Sequence, residues 1–315
     1  MKTIATSSVK LAASFIRKGD IAAFPTETVY GLGADAFNAR AAQKIFKAKN
    51  RPPDNPLIVH IHSKSQLHDV ACAIPPKAQT LVEAFFPGPL TLVLKKSKKI
   101  PPIVTAGLPT VCVRMPSLPL ARRFLRACGM PVAAPSANLS GRPSPTTWQH
   151  VLNDLGGRIP VILKGQSTQH GLESTIVDCT ANPPVLLRPG AIGREELEAV
   201  IGKIAVRKRG SKAVSPGLGY RHYSPNAKVI IVNNARGLPR TRGNWAFIGF
   251  SSVRGAKLSR KVASPKEYAR VLYSFFRQAD QAGIKTIYAE MPQKKGIGLA
   301  LADRISRASS PRKSA

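Results

Sequence analysis

Acidic residues are scarce in this chain: 16 Asp and Glu stand against 48 Lys and Arg in 315 residues, a formal charge of +32. Aromatic residues are scarce too, at 6%, and none interrupts the densest basic runs, Lys95 to Lys99 and Arg207 to Lys212. Those runs therefore read as solvated loops before they read as nucleic-acid patches, which favour stacking aromatics. The four cysteines, Cys72, Cys112, Cys128 and Cys179, are widely spaced with no CxxC pair, so buried free thiols in a reducing compartment are the simplest account. No His, Cys, Asp and Glu cluster has zinc spacing. No apolar run reaches the ~18 residues of a membrane helix. Lys10, Arg17 and Lys18 interrupt the N-terminal apolar stretch without a following cleavage signal, so a cytoplasmic protein with no membrane attachment is expected.

What is present suffices for folding, since 43% hydrophobic residues over 315 positions suit two domains of ordinary size. The charge excess runs through both halves, with 30 basic against 12 acidic residues up to Ala227 and 18 against 4 from Lys228 onward. Such a charge attracts polyanions through counterion release, so contact with tRNA or other RNA is an expectation. A lineage of basic proteins would explain it equally well.

Apolar spacing places Val9, Ala12, Ala13 and Ile16 on one helical face, with a strand over Ile21 to Phe24 behind it. Further helices are expected over Ala41 to Ala48, Gln79 to Phe86, Leu118 to Cys128 and Thr146 to Leu155. Strands are expected over Leu57 to Ile61, Leu90 to Leu94, Val111 to Arg114, Val132 to Ala134, Val161 to Leu163, Ser174 to Asp178 and Val185 to Arg188. Several strands follow one another closely, which predicts an α/β (α+β) fold with a twisted mixed sheet flanked by helices. After a linker rich in turn formers and aromatics, SPGLGYRHYSP, a βαβ pattern predicts a smaller Rossmann-like C-terminal domain. The expected units are 1–206, a linker or lid over 207–227, a second domain over 228–308 and a disordered tail over 309–315.

The chemistry concentrates in short motifs that join turn formers to anion-holding side chains: PTETVYGLG at Pro25, KNRPPDNPL at Lys49, SANLSGRPSPT at Ser136 and GLESTIVD at Gly171. Lys49 and Arg51 stand two apart before a proline pair. In an extended segment they would point to one side and converge on an anion. Ser136, Ala137 and Asn138 follow a strand and form a plausible phosphate loop of hydroxyl, amide and backbone N–H groups. It is not the GxxxxGK[ST] loop, so the common nucleoside-triphosphatase reading lacks support. Arg114 and Arg188 each finish an apolar run, where a guanidinium needs a carboxylate or phosphate. Salt bridges to Glu27, Glu173 or Asp178 are the alternative for both.

Together with FFPGPLTLVL, VRMP, APSANLSG and LLRPG, these motifs resemble the YrdC/Sua-type threonylcarbamoyl-AMP synthases over about residues 8 to 204. SPGLGYRHYSP and GIGLALADRISRAS extend the resemblance to the two-domain, Sua-type members. It implies a YrdC-like catalytic domain that turns L-threonine, bicarbonate and ATP into threonylcarbamoyl-adenylate and pyrophosphate. A downstream transferase would then use the product to modify tRNA. By carry-over, Thr28, His60, Arg114, Ala134 and Ser174 would hold threonine. Arg51, Asn55, Thr110, Ser136, Ser144, Arg188 and Tyr223 would line the ATP side, with Lys49 and Arg51 stabilising developing charge. Mg2+ would arrive on the ATP phosphates. The alternatives are an RNA-binding protein of the same fold, and a carbamoyl-adenylate-forming domain as in hydrogenase maturation factors, whose attached zinc-finger-like and acylphosphatase-like segments this chain lacks.

Overall fold

The computed structural model describes residues 2–207, 223–239 and 241–310. Its first sheet contains β1 (Ile4–Thr6), β2 (Ala22–Phe24), β3 (Gly31–Asp35), β4 (Ile58–His60), β5 (Ala71–Ala73), β6 (Leu90–Lys96), β7 (Thr110–Arg114), β8 (Val132–Ala134), β9 (Val161–Leu163), β10 (Thr175–Asp178), β11 (Val185–Arg188) and β12 (Ala205–Val206). The order is β1-β9-β2-β3-β8-β4-β7-β6-β10-β11-β12, with β5 paired to β6. Parallel pairs such as β4 with β7 alternate with antiparallel ones such as β4 with β8, so the sheet is mixed, as the closely spaced strands predict.

Capping chemistry sets the helix boundaries. Ser8 opens α1 (Val9–Arg17) by accepting from the Leu11 N–H, and Ala12, Ala13 and Ile16 form its buried face. Asn38 opens α2 (Ala39–Lys49), and Asn50 closes it in the left-handed region, with φ of 50°. The helices α3 (Leu67–Val70), α4 (Pro76–Phe85), α5 (Pro102–Thr105), α6 (Pro119–Cys128), α7 (Trp148–Leu155) and α8 (Arg194–Ile201) complete this unit. Thr147 caps α7 by accepting from the His150 N–H, so that helix begins two residues later than expected.

Strand β3 was not foreseen, because Gly31 and Gly33 read as turn residues. They serve close packing instead: a Cβ on Gly33 would stand 2.6 Å from the Val132 side chain and 3.0 Å from the Phe24 ring. The PTETVYGLG motif thus runs from a loop directly into the middle of the sheet.

The second sheet holds β13 (Lys228–Val232), β14 (Gly243–Gly249), β15 (Ala256–Lys261) and β16 (Thr286–Glu290), in the order β13-β16-β14-β15. Every pairing in it is parallel, and α9 (Pro265–Gln281) and α10 (Ile297–Ser309) pack with it. Helix α10 runs through Ser309, where the tail was expected to begin. The expected tail residues 311–315 and most of the expected linker lie outside the described residues.

The two sheets belong to one packed body. Val29 and Leu172 from the first unit join a core with Tyr223 of the connecting segment and Tyr268, Leu272, Tyr273 and Leu301 of the second unit. Arg277 on α9 forks onto Asp154 at 3.0 and 2.7 Å and also donates to the Pro143 carbonyl. Among the cysteines, Cys112, Cys128 and Cys179 are buried, and burial pushes each thiol up to about 12. Cys72 departs from the expectation and is exposed, because β5 is an edge strand that buries only Ala71. No described helix is long and apolar enough to cross a membrane.

Candidate functional site

Strand ends bring the motifs together. β8, β4 and β7 are neighbours, and their register sets His60 opposite Arg114 on one side and Val132 on the other, with Ala134 opposite Ile58. Beside them lies a cleft, the kind of concavity in which small-molecule sites are built. Thr28, Arg51, His60, Arg114, Ala134, Ser136, Ser174, Arg188 and Tyr223 all line it.

At one end, the Arg114 guanidinium donates to the Thr28 hydroxyl at 2.7 Å and to Glu27 Oε1 at 2.7 Å, and its Nε donates to the Gly88 carbonyl at 3.4 Å. Arg114 is thus salt-bridged to Glu27 while it also lines the cleft. Burial alone would raise the Glu27 carboxyl, but the Arg114 charge and hydrogen bond hold it below its usual value. Thr28 is fixed further by the Thr26 hydroxyl at 2.8 Å. The His60 ring lies edge-on to Phe24 at 5.7 Å, with Nδ1 placed 3.1 Å from the Ile58 carbonyl. Burial, reinforced by Arg114, pushes its imidazole down to about 3. His60 is thus a neutral hydrogen-bonding group across the physiological range.

At the other end, Arg188 donates through Nε and Nη2 to the Ser174 carbonyl at 3.2 and 3.0 Å, and through Nη2 to the Ser174 hydroxyl at 3.2 Å. The Ser174 hydroxyl also meets Thr91 at 2.7 Å. Behind this contact the LLRPG turn crosses the ESTIV strand so closely that a Cβ on Gly190 would stand 2.1 Å from the Thr175 nitrogen. Only glycine fits there, which ties the placement of Arg188 to that of Ser174.

Lys49 and Arg51 do not converge in the expected way. Helix α2 continues through Lys49, and the left-handed Asn50 then turns the chain, so the segment is not extended. Arg51 lines the cleft while its guanidinium donates to the Asn55 and Pro56 carbonyls. Lys49 is buried and donates through Nζ to the Ser136 and Asn138 carbonyls, so it holds the SAN loop from behind. Burial, with the Arg51 charge adding, lowers its ammonium well below the usual lysine range. Asn138 braces the same loop by donating to the Leu139 and Arg142 carbonyls at 2.8 and 3.0 Å.

Three further expected residues stand outside the cleft lining. Asn55 presents its backbone carbonyl to Arg51. Thr110 begins β7, at the opposite end of that strand from Arg114. Ser144 is buried and donates to Glu173 Oε1 at 2.6 Å. Glu173 itself lines the cleft, a role that sequence reasoning gave it only as a salt-bridge partner. Arg304 and Tyr273, which reach Glu173 from the second unit, were missed altogether. Arg304 does stand inside the quoted GIGLALADRISRAS motif, and that was the available signal.

Among the described residues no group of three or more His, Cys, Asp or Glu could hold a metal ion. The two carboxylates nearest the chemistry, Glu27 and Glu173, are each engaged by a guanidinium.

Comparison with known proteins accords with this geometry. Residues 14–190 match the Sua5, YciO and YrdC family model, described as telomere recombination, and residues 192–310 match a model described as the C-terminal domain of threonylcarbamoyl-AMP synthase. The chain is 44% identical to the threonylcarbamoyl-AMP synthase of Pyrococcus abyssi over 96% of its length and 94% of that protein. It is 44% identical to the Bacillus subtilis threonylcarbamoyl-AMP synthase, over 96% of this chain and 92% of the other. The crystal structure of P. abyssi Sua5 complexed with L-threonine superposes with a TM-score of 0.91 at 43% identity, covering 98% of this chain and 97% of that one. On the cleft, the mixed sheet, the parallel second sheet and these matches, the chain belongs to the Sua5, YciO and YrdC family, with the two-domain organisation of its Sua-type members.

Proposed function

We propose that this protein is an L-threonylcarbamoyladenylate synthase, forming threonylcarbamoyl-AMP and pyrophosphate from L-threonine, bicarbonate and ATP. The observation that carries the reading is the meeting of nine residues from separate motifs in one cleft, in a chain matching two threonylcarbamoyl-AMP synthases over nearly its whole length.

In this reading the Arg114 end receives the amino acid. Arg114 pairs with the threonine carboxylate, Thr28 and His60 present a hydroxyl and a neutral ring to its polar groups, and Ser174 reaches it from the Arg188 side of the cleft. The threonine nitrogen attacks the bicarbonate carbon, a C–N bond forms and water is lost, leaving a carbamate. Its oxygen then attacks the α-phosphorus of ATP, and the bond to the β-phosphate oxygen breaks to release pyrophosphate. Arg51, Arg188 and the SAN loop surround the phosphates as that charge shifts. Lys49 acts through the loop: it fixes the Ser136 and Asn138 carbonyls and so the direction of their neighbouring groups. Mg2+ comes bound to the ATP phosphates, since both nearby carboxylates already hold arginines.

The product serves a separate transferase that installs threonylcarbamoyladenosine in tRNA, and the basic surface favours contact with RNA. Cytoplasmic residence belongs to the same reading. The test is pyrophosphate release by purified protein given ATP, Mg2+, bicarbonate and threonine. Release that needs both threonine and bicarbonate supports the synthase. No release, together with salt-sensitive RNA binding, replaces it with the RNA-binding alternative.

A further inference from the structure

Glu173 is a buried carboxylate in the wall of a cleft meant for a triphosphate. Left alone it would repel that ligand and carry a heavy desolvation cost. Two of the three side chains that hydrogen-bond it come from the second unit. Arg304 on α10 donates from Nε to Glu173 Oε2 at 2.9 Å, and the Tyr273 hydroxyl on α9 lies 3.1 Å from the same oxygen. From the first unit, Ser144 donates to Oε1 at 2.6 Å.

Arg304 is itself fully buried, and the rest of its fork is engaged. Nη1 meets Asp303 at 2.6 Å and Nη2 donates to the Pro189 carbonyl at 3.0 Å, one residue past Arg188. Its guanidinium carbon lies 5.1 Å from the Tyr223 ring centroid, and Tyr223 stacks on Tyr273 at 5.6 Å. One arginine thus touches the Glu173 wall, the LLRPG turn and the Tyr223 wall.

We infer that Arg304 is a positioning residue for the nucleotide end of the cleft, holding Glu173 neutralised and in place, so that the second unit completes the active site. This rests on the synthase reading. Burial alone would raise the Glu173 carboxyl, and Arg304 first, then Arg188, hold it below its usual value. Without Arg304 the carboxyl therefore moves upward, and the cleft becomes hostile to phosphate whenever Glu173 ionises.

The experiment compares Arg304→Met, Glu173→Gln and the double variant by KM for ATP and kcat across pH 6 to 9. Truncating one partner of a buried charge pair leads to an expected ~30-fold rise in KM for ATP in Arg304→Met. That defect should grow with rising pH as Glu173 ionises, and the double variant should recover most of it. A purely structural role would lower stability and leave no pH-dependent KM term and no recovery. If Arg304→Met does not fold, Tyr273→Phe removes one donor to Glu173 and should raise KM for ATP about fivefold. An unchanged KM for ATP in Arg304→Met, a pH-independent defect, a double variant no better than the single, or an unmoved Tyr273→Phe would each overturn the inference. Absence of threonine-dependent pyrophosphate release in the unsubstituted protein would instead overturn the synthase reading.

Discussion

Acidification should destabilise the free protein well above the pH at which carboxylates titrate, and His60 should be a main cause. The imidazole lies buried against Phe24 and near Arg114, and its value falls from 6.5 to about 3 on folding. The sign follows from which state binds the proton. The unfolded chain takes it up near pH 6.5 and the folded protein only near 3, so the stability is whole above 6.5 and is lost as pH falls through that window. At pH 5 the unfolded histidine is almost fully charged while the folded one is still neutral. One pKa unit corresponds to about 1.4 kcal/mol, so the loss from His60 between pH 7.5 and 5 comes to about 2 kcal/mol. Denaturant unfolding of the protein and of His60→Gln at both pH values isolates this contribution, because other titrating groups are common to both. The variant should lose about 2 kcal/mol less than the parent on acidification. Equal losses would refute a buried, neutral His60.

Other substitutions separate folding from chemistry. Arg114→Ala leaves the buried Glu27 carboxylate without its partner and should cost about 3–5 kcal/mol in a urea melt. Lys49→Met strips the donor from the Ser136 and Asn138 carbonyls. It should cut pyrophosphate release on the order of a hundredfold while calorimetric threonine affinity stays near the parent value, since Thr28 and Arg114 do not touch that loop. Gly190→Ala forces a Cβ onto the Thr175 nitrogen and should displace Arg188 and Ser174 together, lowering both the thermal midpoint and the ATP affinity; a variant with parental ATP affinity would contradict that coupling.

The sequence disclosed the parts of the fold that are governed by local rules. The spacing of Val9, Ala12, Ala13 and Ile16 marks the first helix, and apolar runs such as Val132 to Ala134 and Val161 to Leu163 give their strands to the residue. What it hid depends on tertiary packing. Strand β3 carries glycine at 31 and 33 because Phe24 and Val132 press against those positions, a fact absent from the local pattern. The edge strands β1 and β15 are short or polar, so no apolar period marks them. In the site, residue types singled out Arg114 and Arg188, the resemblance singled out Ser174, and the fold sets all three along one cleft. The geometry of Lys49 and Arg51 was misread because a single left-handed residue, Asn50, reverses the direction that an extended chain would give. The Arg304 contact was invisible for a different reason: it joins residues 131 positions apart in two units.

The scarcity of acids and the site's construction are linked. Four acidic residues are buried, Glu27, Asp154, Glu173 and Glu290. Three of them are paired with Arg114, Arg277 and Arg304, and Glu290 accepts from the Phe250 and Ser251 N–H groups. Against them stand five buried cations, Lys49, Arg114, Arg188, Arg277 and Arg304. The described interior is therefore close to charge balance, and the large positive excess lies outside it. These are two separate electrostatic systems. The inner one is built of short, desolvated contacts that salt screens weakly, and two of its pairs stand at the cleft. The outer one acts at long range and fades with ionic strength, so it governs approach of polyanions and not the chemistry. A net charge of +32 consequently says little about the reaction, while three buried arginine-carboxylate pairs, two of them at the cleft and two joining the units, say a great deal about why the second domain is there.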